Sequence, residues 1–250
     1  MNKNDLKELA QETIKISKGL NSKSNFTIFK DNIGFVLKPN MAEAFIEVYN
    51  ESTVKAIHRY SGEKVGVLNF ASAKHQCGGF IVGSMAQEEC LAYCSDLYIK
   101  QCANAQEYYD YHNNNNLPLY SDLMFIDDIV FFRDDKFNMC EPITCKVLTS
   151  AAVNTNLAKN HGKTDKDIYI AMKNRMRKIL NCFIISDCKT IILGAFGCGV
   201  FGNSAQEIAK IWYELLYEEE YVYHFERICF SVLDNGKTGN FEAFKNQFGK

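Results

Sequence analysis

The chain has 250 residues, 47% of them hydrophobic, and its 28 Lys and Arg against 30 Asp and Glu give a formal net charge of −2. A chain of this length and composition can bury a substantial core. The near-neutral charge offers no overall positive field for general nucleic-acid binding, so any phosphate-bearing ligand has to be bound locally.

The ten cysteines contain no C-x-x-C pair and no cysteine–histidine spacing typical of zinc, so we predict no metal site. The first residues, MNKNDLKELAQETIKISKGL, lack the apolar centre of a signal peptide. No stretch approaches the roughly 18 apolar residues of a membrane span, so we expect no membrane partner. Free thiols without an export signal favour a cytoplasmic protein.

The first predicted element in chain order is an amphipathic helix, which we interpret as an N-terminal helical extension over residues 1–22. Short extended runs follow at 26–29 (FTIF) and 34–37 (GFVL). The charged segment after them has no clear pattern. We assign residues 23–250 to one domain.

From residue 64 onward, apolar runs alternate with helical patterns. The strand-like runs are VGVLNFA, LMFIDDIVFF, ITCKVLTSAAV, TIILGAF and RICFSVLD, and the helical stretches are AQEECLAYCSDLYIKQCAN, residues 164–185, SAQEIAKIWYELLY and NFEAFKNQF. This alternation predicts a mixed, mostly parallel sheet covered on both faces, a three-layer α/β/α domain. The Asn run in YHNNNNLP at 111–118 has the composition of a surface loop.

Two segments of the chain share one design. GSMAQEE (83–89) and GNSAQEI (202–208) each follow a glycine-rich loop, CGGFIV or GAFGCGVF, that itself follows a buried strand. Glycine turns let backbone N–H groups approach an anion, and a helix N-terminus adds partial positive charge. Two such loops at the carboxyl ends of strands in one sheet can share a crevice suited to a diphosphate. Alternatively, the glycines only permit tight turns between strand and helix.

Two familiar nucleotide sites fit the loops poorly. Neither loop ends in the Gly-Lys-Ser/Thr of a P-loop. The second loop has Gly197, Gly199 and Gly202 at G-x-G-x-x-G spacing, but it is not in a first strand–helix–strand unit and lacks an identifiable acidic partner for a ribose. A nicotinamide dehydrogenase is therefore the weaker interpretation.

The segment LNFASAKHQCGGFIVGSMAQEECLAYCSDLY, with TSAAVNTN and LGAFGCGVFGNSAQEIAKIW, resembles the bacterial-type poly(ADP-ribose) glycohydrolases of the macrodomain superfamily. The signature of that family is three glycines, six to eight residues and then Gln-Glu-Glu. Here Gly78 and Gly79 are followed by seven residues and the motif Gln87–Glu89. The resemblance covers essentially the whole chain.

This resemblance implies a macrodomain that binds ADP-ribose and hydrolyses an O-glycosidic ribose bond of poly- or mono-ADP-ribosylated substrates, without a cofactor. It implies Glu89 as the catalytic acid and base, and Glu88 as the holder of ribose hydroxyls. The implied ligand-binding residues are Asn69, Gly78, Gly79, Phe80, Gln87, Gly197, Cys198, Gly199, Val200, Phe201 and Gly202. Phe201 is expected near the distal ribose. We expect the protein to be a monomer.

The chemistry of glycoside cleavage gives the two glutamates distinct roles. We expect Glu88 to be held ionised by helix N-terminal amides or ribose hydroxyls, while Glu89 protonates the leaving oxygen and then activates water. Acidic residues are also favoured in a first helical turn without any catalytic role, which is the alternative interpretation of this pair.

The chain departs from the family signature at Cys77, which replaces the first glycine, and at Gln76, which replaces a proline. If position 77 requires a positive φ, a cysteine there costs roughly 1 kcal/mol or more in strain. Two alternatives to a polymer-processing enzyme therefore stay open: a binding module that reads ADP-ribose without hydrolysing it, and an enzyme limited to terminal or single ADP-ribose units.

Overall fold

The computed structural model describes residues 1–20, 22–30, 33 and 42–249. The described helices are α1 (Lys3–Gly19), α2 (Thr53–Arg59), α3 (Gln87–Cys94), α4 (Leu97–Asn104), α5 (Gln106–Asn114), α6 (Thr155–Asn160), α7 (Asp165–Ile185), α8 (Ala205–Tyr213) and α9 (Asn240–Phe248). The described strands are β1 (Thr27–Phe29), β2 (Phe45–Tyr49), β3 (Val65–Phe70), β4 (Met124–Arg133), β5 (Met139–Ser150), β6 (Thr190–Leu193) and β7 (Arg227–Ser231).

These strands form one sheet in the order β1-β4-β5-β3-β6-β7-β2. β1, β4 and β5 pair antiparallel, whereas β5, β3, β6, β7 and β2 run parallel to one another. The predicted mixed, mostly parallel sheet is therefore confirmed. The carboxyl ends of β3 and β6 lie side by side near its centre, at the edge where ligands bind in open α/β sheets.

Helices cover both faces of this sheet. Along β3, Val65 and Val67 belong to a core with residues of α1, α2 and α3, whereas the intervening position and Leu68 face α7. Successive side chains of a strand point to opposite faces of the sheet, and β3 follows this rule. The predicted three-layer α/β/α arrangement with an N-terminal helix is confirmed.

Helix α1 packs directly on the segment that carries the paired glutamates. Leu6 and Leu9 lie in the same core cluster as Phe80, which belongs to the first glycine-rich loop. The hydroxyl of Thr13 donates to the carbonyl of Tyr93 in α3 at 3.1 Å. The N-terminal helix therefore supports the loop and helix that form one wall of the cleft described below.

The single helix predicted over 86–104 is wrong, because two helices meet there. Between α3 and α4, Ser95 forms an antiparallel bridge with Phe131 of β4. The next backbone N–H, that of Asp96, donates to the carbonyl of Val130 at 3.2 Å. Pairing with the strand takes these backbone groups out of the helix and breaks it.

Other differences lie where the sequence pattern was weak. Helix α5 continues to Asn114, so the first half of the segment 111–118 is the end of a helix and not a loop. The charged segment without a clear pattern contains β2 and α2. The predicted strand at 34–37 lies outside the described residues.

The ten cysteines are all free thiols. Among the described helices, none combines the length and the apolar character needed to cross a bilayer.

Gly66 of β3 provides a test of how closely the sheet packs on α7. A Cβ added there would lie 2.6 Å from the ring of Phe183 and 2.8 Å from the thiol sulfur of Cys188. We expect Gly66→Ala to lower the free energy of unfolding by about 1–3 kcal/mol, because overpacking forces the neighbours to shift. Scanning calorimetry should record a Tm lower by about 2–4 °C for each kcal/mol lost.

Gly19→Ala is the matched control, since no heavy atom lies within 4 Å of a Cβ added at that position. Its Tm should be no lower than that of the wild type, because alanine fits a helical backbone at least as well as glycine does. A Gly66→Ala variant with an unchanged Tm would contradict the close approach of α7 to β3.

Candidate active site

A cleft of about 510 Å³ opens at the carboxyl ends of β3, β6 and β7, between the two glycine-rich loops. The first-loop side of its lining includes Phe70, Ser72, Gly78, Gln87, Glu88 and Glu89, and the second-loop side includes Ala195, Gly197, Gly199, Val200, Phe201 and Ser231. The volume is in the range of small-molecule and cofactor sites. The two loops of shared design therefore do converge on one crevice.

The first loop turns through two successive residues of positive φ, Cys77 at 49° and Gly78 at 56°. A Cβ on Gly78 would lie 2.7 Å from Glu89 Oε1 and 3.2 Å from Glu88 Oε2, so the loop can approach the carboxylates only as glycine. Cys77 bears the strain expected of a side chain at this φ, about 1 kcal/mol. Its side chain is fully buried in the core and leaves the cleft free.

Glu89 is fixed by backbone N–H groups on both sides. Its Oε1 accepts from Gly79 N at 2.8 Å, and its Oε2 accepts from Ala86 N at 3.1 Å. The residue is only 7% exposed and borders the cleft. Both carboxyl oxygens are therefore oriented by the loop before any ligand arrives.

Glu88 is buried beside it, with different partners. Its Oε2 accepts from Ser72 N at 2.7 Å and its Oε1 from Asn69 Nδ2 at 3.1 Å. Burial raises the pKa of Glu88 to about 8 and the charge of Glu89 adds to this rise, although the bonds from Ser72 and Asn69 oppose it. The expectation that Glu88 is ionised is therefore wrong at neutral pH, because desolvation outweighs the donors.

Gln87 connects the start of α3 to β3. Its Oε1 accepts from Phe70 N and its Nε2 donates to Leu68 O, each at 2.9 Å. The last β3–β6 pair in the register is Val67 with Ile192, so this side-chain amide takes the place of the missing neighbour strand. Gln87 thereby satisfies the sheet edge at the point where β3 and β6 separate to form the cleft.

The second loop is fixed from below by Asn203. Its Nδ2 donates to Val153 O at 2.8 Å and to Gly197 O at 3.0 Å. Gly197 has a φ of 75°, and a Cβ there would lie 2.6 Å from Asn203 Nδ2. At the tip, the N–H groups of residues 199–201 have no acceptor within the part of the chain that the structure describes. They are available to an anionic ligand.

The predicted site residues divide into cleft-lining and supporting groups. Those that line the cleft are Gly78, Gln87, Glu88, Glu89, Gly197, Gly199, Val200 and Phe201. Asn69 and Gly79 lie behind the glutamates and donate hydrogen bonds to them. Their contribution is to orient the carboxyl groups.

Three predicted ligand-binding residues lie away from the cleft lining. Phe80 is fully buried, with its ring centroid 4.9 Å from that of Tyr93 and 5.1 Å from that of Tyr98, so its side chain serves the core. Cys198 is partly buried, with its thiol 3.8 Å from a backbone carbonyl oxygen. Gly202 borders a separate cavity between α6, α7 and α8. Among the described residues, no group of three or more His, Cys, Asp or Glu side chains is arranged to hold a metal ion.

One wall of the cleft contains none of the predicted site residues. This wall is formed by Glu51, Ser52, Thr53, Val54, Val232, Leu233 and Asn240. These residues come from the end of the β2–α2 segment with the first turn of α2, and from the chain after β7 up to the start of α9. The parallel pairing of β2 with β7 brings the two segments together. The sequence feature that could have revealed this wall is Ser52, a residue type that commonly caps helices. Its hydroxyl oxygen accepts from Lys55 N at 3.1 Å and caps α2.

Comparison with known proteins bears on this geometry. The family model for the catalytic domain of microbial-type PARG, poly(ADP-ribose) glycohydrolase, matches residues 3–134. The chain belongs to the microbial-type PARG family. A search of curated protein sequences gave no match.

Several solved PARG structures are similar over nearly the whole chain. The poly(ADP-ribose) glycohydrolase of Thermomonospora curvata is 29% identical, with 98% of this chain and 100% of that chain covered and a TM-score of 0.89. Its complex with the inhibitor ADP-HPD gives 28% identity, the same coverage and a TM-score of 0.84. The Deinococcus radiodurans enzyme in complex with ADP-ribose gives 27% identity, 98% and 90% coverage and a TM-score of 0.77.

These matches confirm the predicted family and fold class, and they confirm the prediction of a glycosidase acting on ADP-ribose linkages. A reader module without turnover is not favoured. Gly78 and the two glutamates thus border a cleft in a member of this enzyme family.

The raised pKa of Glu88 makes the stability of this microbial-type PARG depend on pH. The unfolded chain releases this proton near the ordinary value of 4.5, whereas the folded protein holds it to about pH 8. The resulting stabilisation is fully present below pH 4.5 and is lost as the pH rises through 8.

We expect Glu88→Gln to remove this dependence, so the variant should gain about 4 kcal/mol in free energy of unfolding, relative to wild type, between pH 5 and pH 8.5. Urea unfolding at several pH values measures it. Glu8→Gln, on the exposed face of α1, should show no such gain. A difference that does not vary with pH would mean that Glu88 titrates normally.

Proposed function

We propose that this chain binds ADP-ribosylated substrates in the cleft and hydrolyses their O-glycosidic ribose bond, with Glu89 as general acid and base. One observation carries the assignment of roles. Glu88 and Glu89 stand side by side at the start of α3, both buried, both held by hydrogen bonds, and both bordering the cleft beneath the first glycine-rich loop.

We propose that the second loop holds the diphosphate. The N–H groups of residues 199–201 have no acceptor in the described part of the chain, and free backbone N–H groups in a glycine-rich loop are donors of the kind that bind phosphate oxygens. Phe201 packs on Tyr120 with ring centroids 5.9 Å apart, which supports a fixed aromatic wall for the distal ribose. The Deinococcus radiodurans relative, solved with ADP-ribose, supports this class of ligand.

In the proposed mechanism, the protonated form of Glu89 acts, and it gives its proton to the glycosidic oxygen as the bond from that oxygen to the anomeric carbon breaks. The ribose passes through an oxocarbenium-like transition state. Glu89, now a carboxylate, accepts a proton from water as the water oxygen bonds to the anomeric carbon. This step restores the acid and releases a ribose with a free anomeric hydroxyl.

Glu88 acts beside it as a neutral carboxyl group. Since its pKa is raised to about 8, it has an O–H to donate as well as an oxygen to accept when it contacts ribose hydroxyls near neutral pH. A neutral Glu88 also adds no second negative charge beside Glu89 while Glu89 is a carboxylate. Gln87 takes no direct part in this scheme, because its amide is committed to β3.

The organisation of the chain completes the proposal. We take residues 1–22 as a helical extension of one catalytic domain over 23–250, which acts as a cytoplasmic monomer without general nucleic-acid binding. The free thiols support a reducing compartment, and the net charge of −2 supports the lack of nucleic-acid affinity. Size-exclusion chromatography with light scattering should give a mass near 28.5 kDa, and a dimer mass would contradict the monomer.

Glu89→Gln tests the assignment of the catalytic residue. We expect its rate of ADP-ribose release to fall about 10²–10⁴-fold, because the acid and base are lost, while the shape of the cleft is kept. Chromatography of the products from poly(ADP-ribose) and from a mono-ADP-ribosylated protein measures release and separates the two substrate classes. Calorimetry should give an ADP-ribose Kd near that of the wild type.

Glu207→Gln is the matched control, since Glu207 occupies the second A-Q-E segment and is exposed on α8. Its release rate should be that of the wild type. A fully active Glu89→Gln would refute the role of Glu89. Tight ADP-ribose binding by a wild type that releases nothing would restore the reader module, and a lack of binding would overturn both functions.

A further inference from the structure

A buried glutamine outside the Gln-Glu-Glu motif connects to both glutamates. Gln101 lies in α4 and is 1% exposed, so its amide needs partners inside the protein. Its Oε1 accepts from Cys77 N at 2.8 Å and from the hydroxyl of Tyr109 at 2.7 Å. The thiol of Cys77 lies 3.3 Å from the same oxygen. One side-chain oxygen thus serves three donors from two other segments.

The bond to Cys77 holds the first loop at its strained residue. A non-glycine residue at a φ of 49° persists only where its surroundings fix it. Two residues further on, Gly79 N donates to Glu89 Oε1 at 2.8 Å. A Cβ on Gly78 would come within 2.7 Å of the same oxygen, so the loop has little freedom to shift against the carboxylate. The position of Cys77 therefore sets the position of the donor to Glu89.

The amino group of Gln101 faces the other glutamate. It donates to Thr149 Oγ1 at 3.4 Å, and the same oxygen accepts from Asn69 Nδ2 at 3.3 Å. Asn69 Nδ2 in turn donates to Glu88 Oε1. Burial dominates the raised pKa of Glu88, and a hydrogen bond from Gln101 is among the contacts that oppose it. The two ends of one amide thus act on the two carboxyl groups.

We infer that Gln101 is a positioning residue of the active site: its oxygen fixes the loop that holds Glu89, and its amino group orients Glu88. The inference rests on the proposed function, because positioning is measured through hydrolysis. It goes beyond the signature, because Gln101 belongs to the next helix and is not itself part of the cleft lining.

The groups around Glu88 allow the pH dependence of the enzyme's activity to report on the two carboxyl groups. The titratable groups that face it are Glu89 of α3, Cys77 of the loop, and Tyr108 and Tyr109 of α5. Burial raises the pKa of the Cys77 thiol and of both tyrosines well above their usual values. These three groups stay neutral where Glu88 titrates, so a shifted profile near pH 8 reports on the carboxyl groups.

The test is Gln101→Met, which keeps the length of the side chain and removes both polar ends. With poly(ADP-ribose) as substrate, we expect kcat to fall about 10–100-fold while KM changes little, since a small misplacement of catalytic groups affects the transition state most. The limb of the kcat/KM profile that Glu88→Gln abolishes should move to higher pH, because a donor to the ionised form is lost.

Gln106→Met, on the exposed surface of α5, is the matched control and should behave as the wild type. If Gln101→Met does not fold, Gln101→Glu keeps an oxygen for Cys77 and Tyr109 while it loses the amino donor, and it should shift the same limb. A folded variant with unchanged kcat and an unmoved limb would overturn the inference. A lower Tm alone would assign Gln101 to structure and overturn it as well.

The pH dependence of ADP-ribose affinity, measured by calorimetry, separates this inference from the proposed function. A wild type that binds but does not hydrolyse would refute the proposed activity. In that case a profile of Kd against pH that shifts in Gln101→Met still supports positioning, and one that does not shift refutes it.

Discussion

The burial of two adjacent carboxyl groups is the constraint on which this active site depends. Removing a carboxylate from water costs several kcal/mol unless donors replace the lost hydration. The fold supplies those donors almost entirely from the backbone: Gly79 and Ala86 donate to Glu89, and Ser72 donates to Glu88. Backbone donors reach both carboxyl groups because glycine at the first loop leaves room. The glycines of the signature are thus needed by the glutamates as much as by the ligand.

The strain of this loop is balanced by packing that lies outside it. Cys77 has a backbone conformation that favours glycine. Its side chain fills the core beside α1 and α3, and its N–H donates to Gln101. A glycine at this position would relieve the backbone but would leave that volume empty. The departure from the family signature is therefore absorbed on the core side of the loop. The cleft side of the loop is formed by Gly78 and the glutamates, and the Cys77 side chain does not enter it.

The sequence predicted what is local and periodic. Strand, glycine loop and helix repeat in order, so the sheet class, the meeting of the two loops and the presence of Glu88 and Glu89 at a helix start could be predicted. What it could not supply depends on contacts distant in sequence. The break between α3 and α4 at Ser95 depends on a bridge to β4, which lies beyond α5 in the chain. The protonation state of Glu88 depends on how deeply α3 is buried. The place of Phe80 in the core likewise depends on how α1 packs.

The two A-Q-E segments explain why a shared motif does not mean a shared role. In the second segment, Ser204 caps α8 with its own hydroxyl, which accepts from Glu207 N at 3.4 Å. The corresponding place before α3 is occupied by a methionine, and Ala86 has no side chain that can cap. The carboxyl group of Glu89 therefore turns back to the loop and satisfies the free N–H groups itself. At the matching position of α8 stands Ile208, buried in the core. The difference in capping and the replacement of Glu89 by Ile208 thus separate a helix start that caps itself from one that turns a carboxyl group toward the first loop and the cleft.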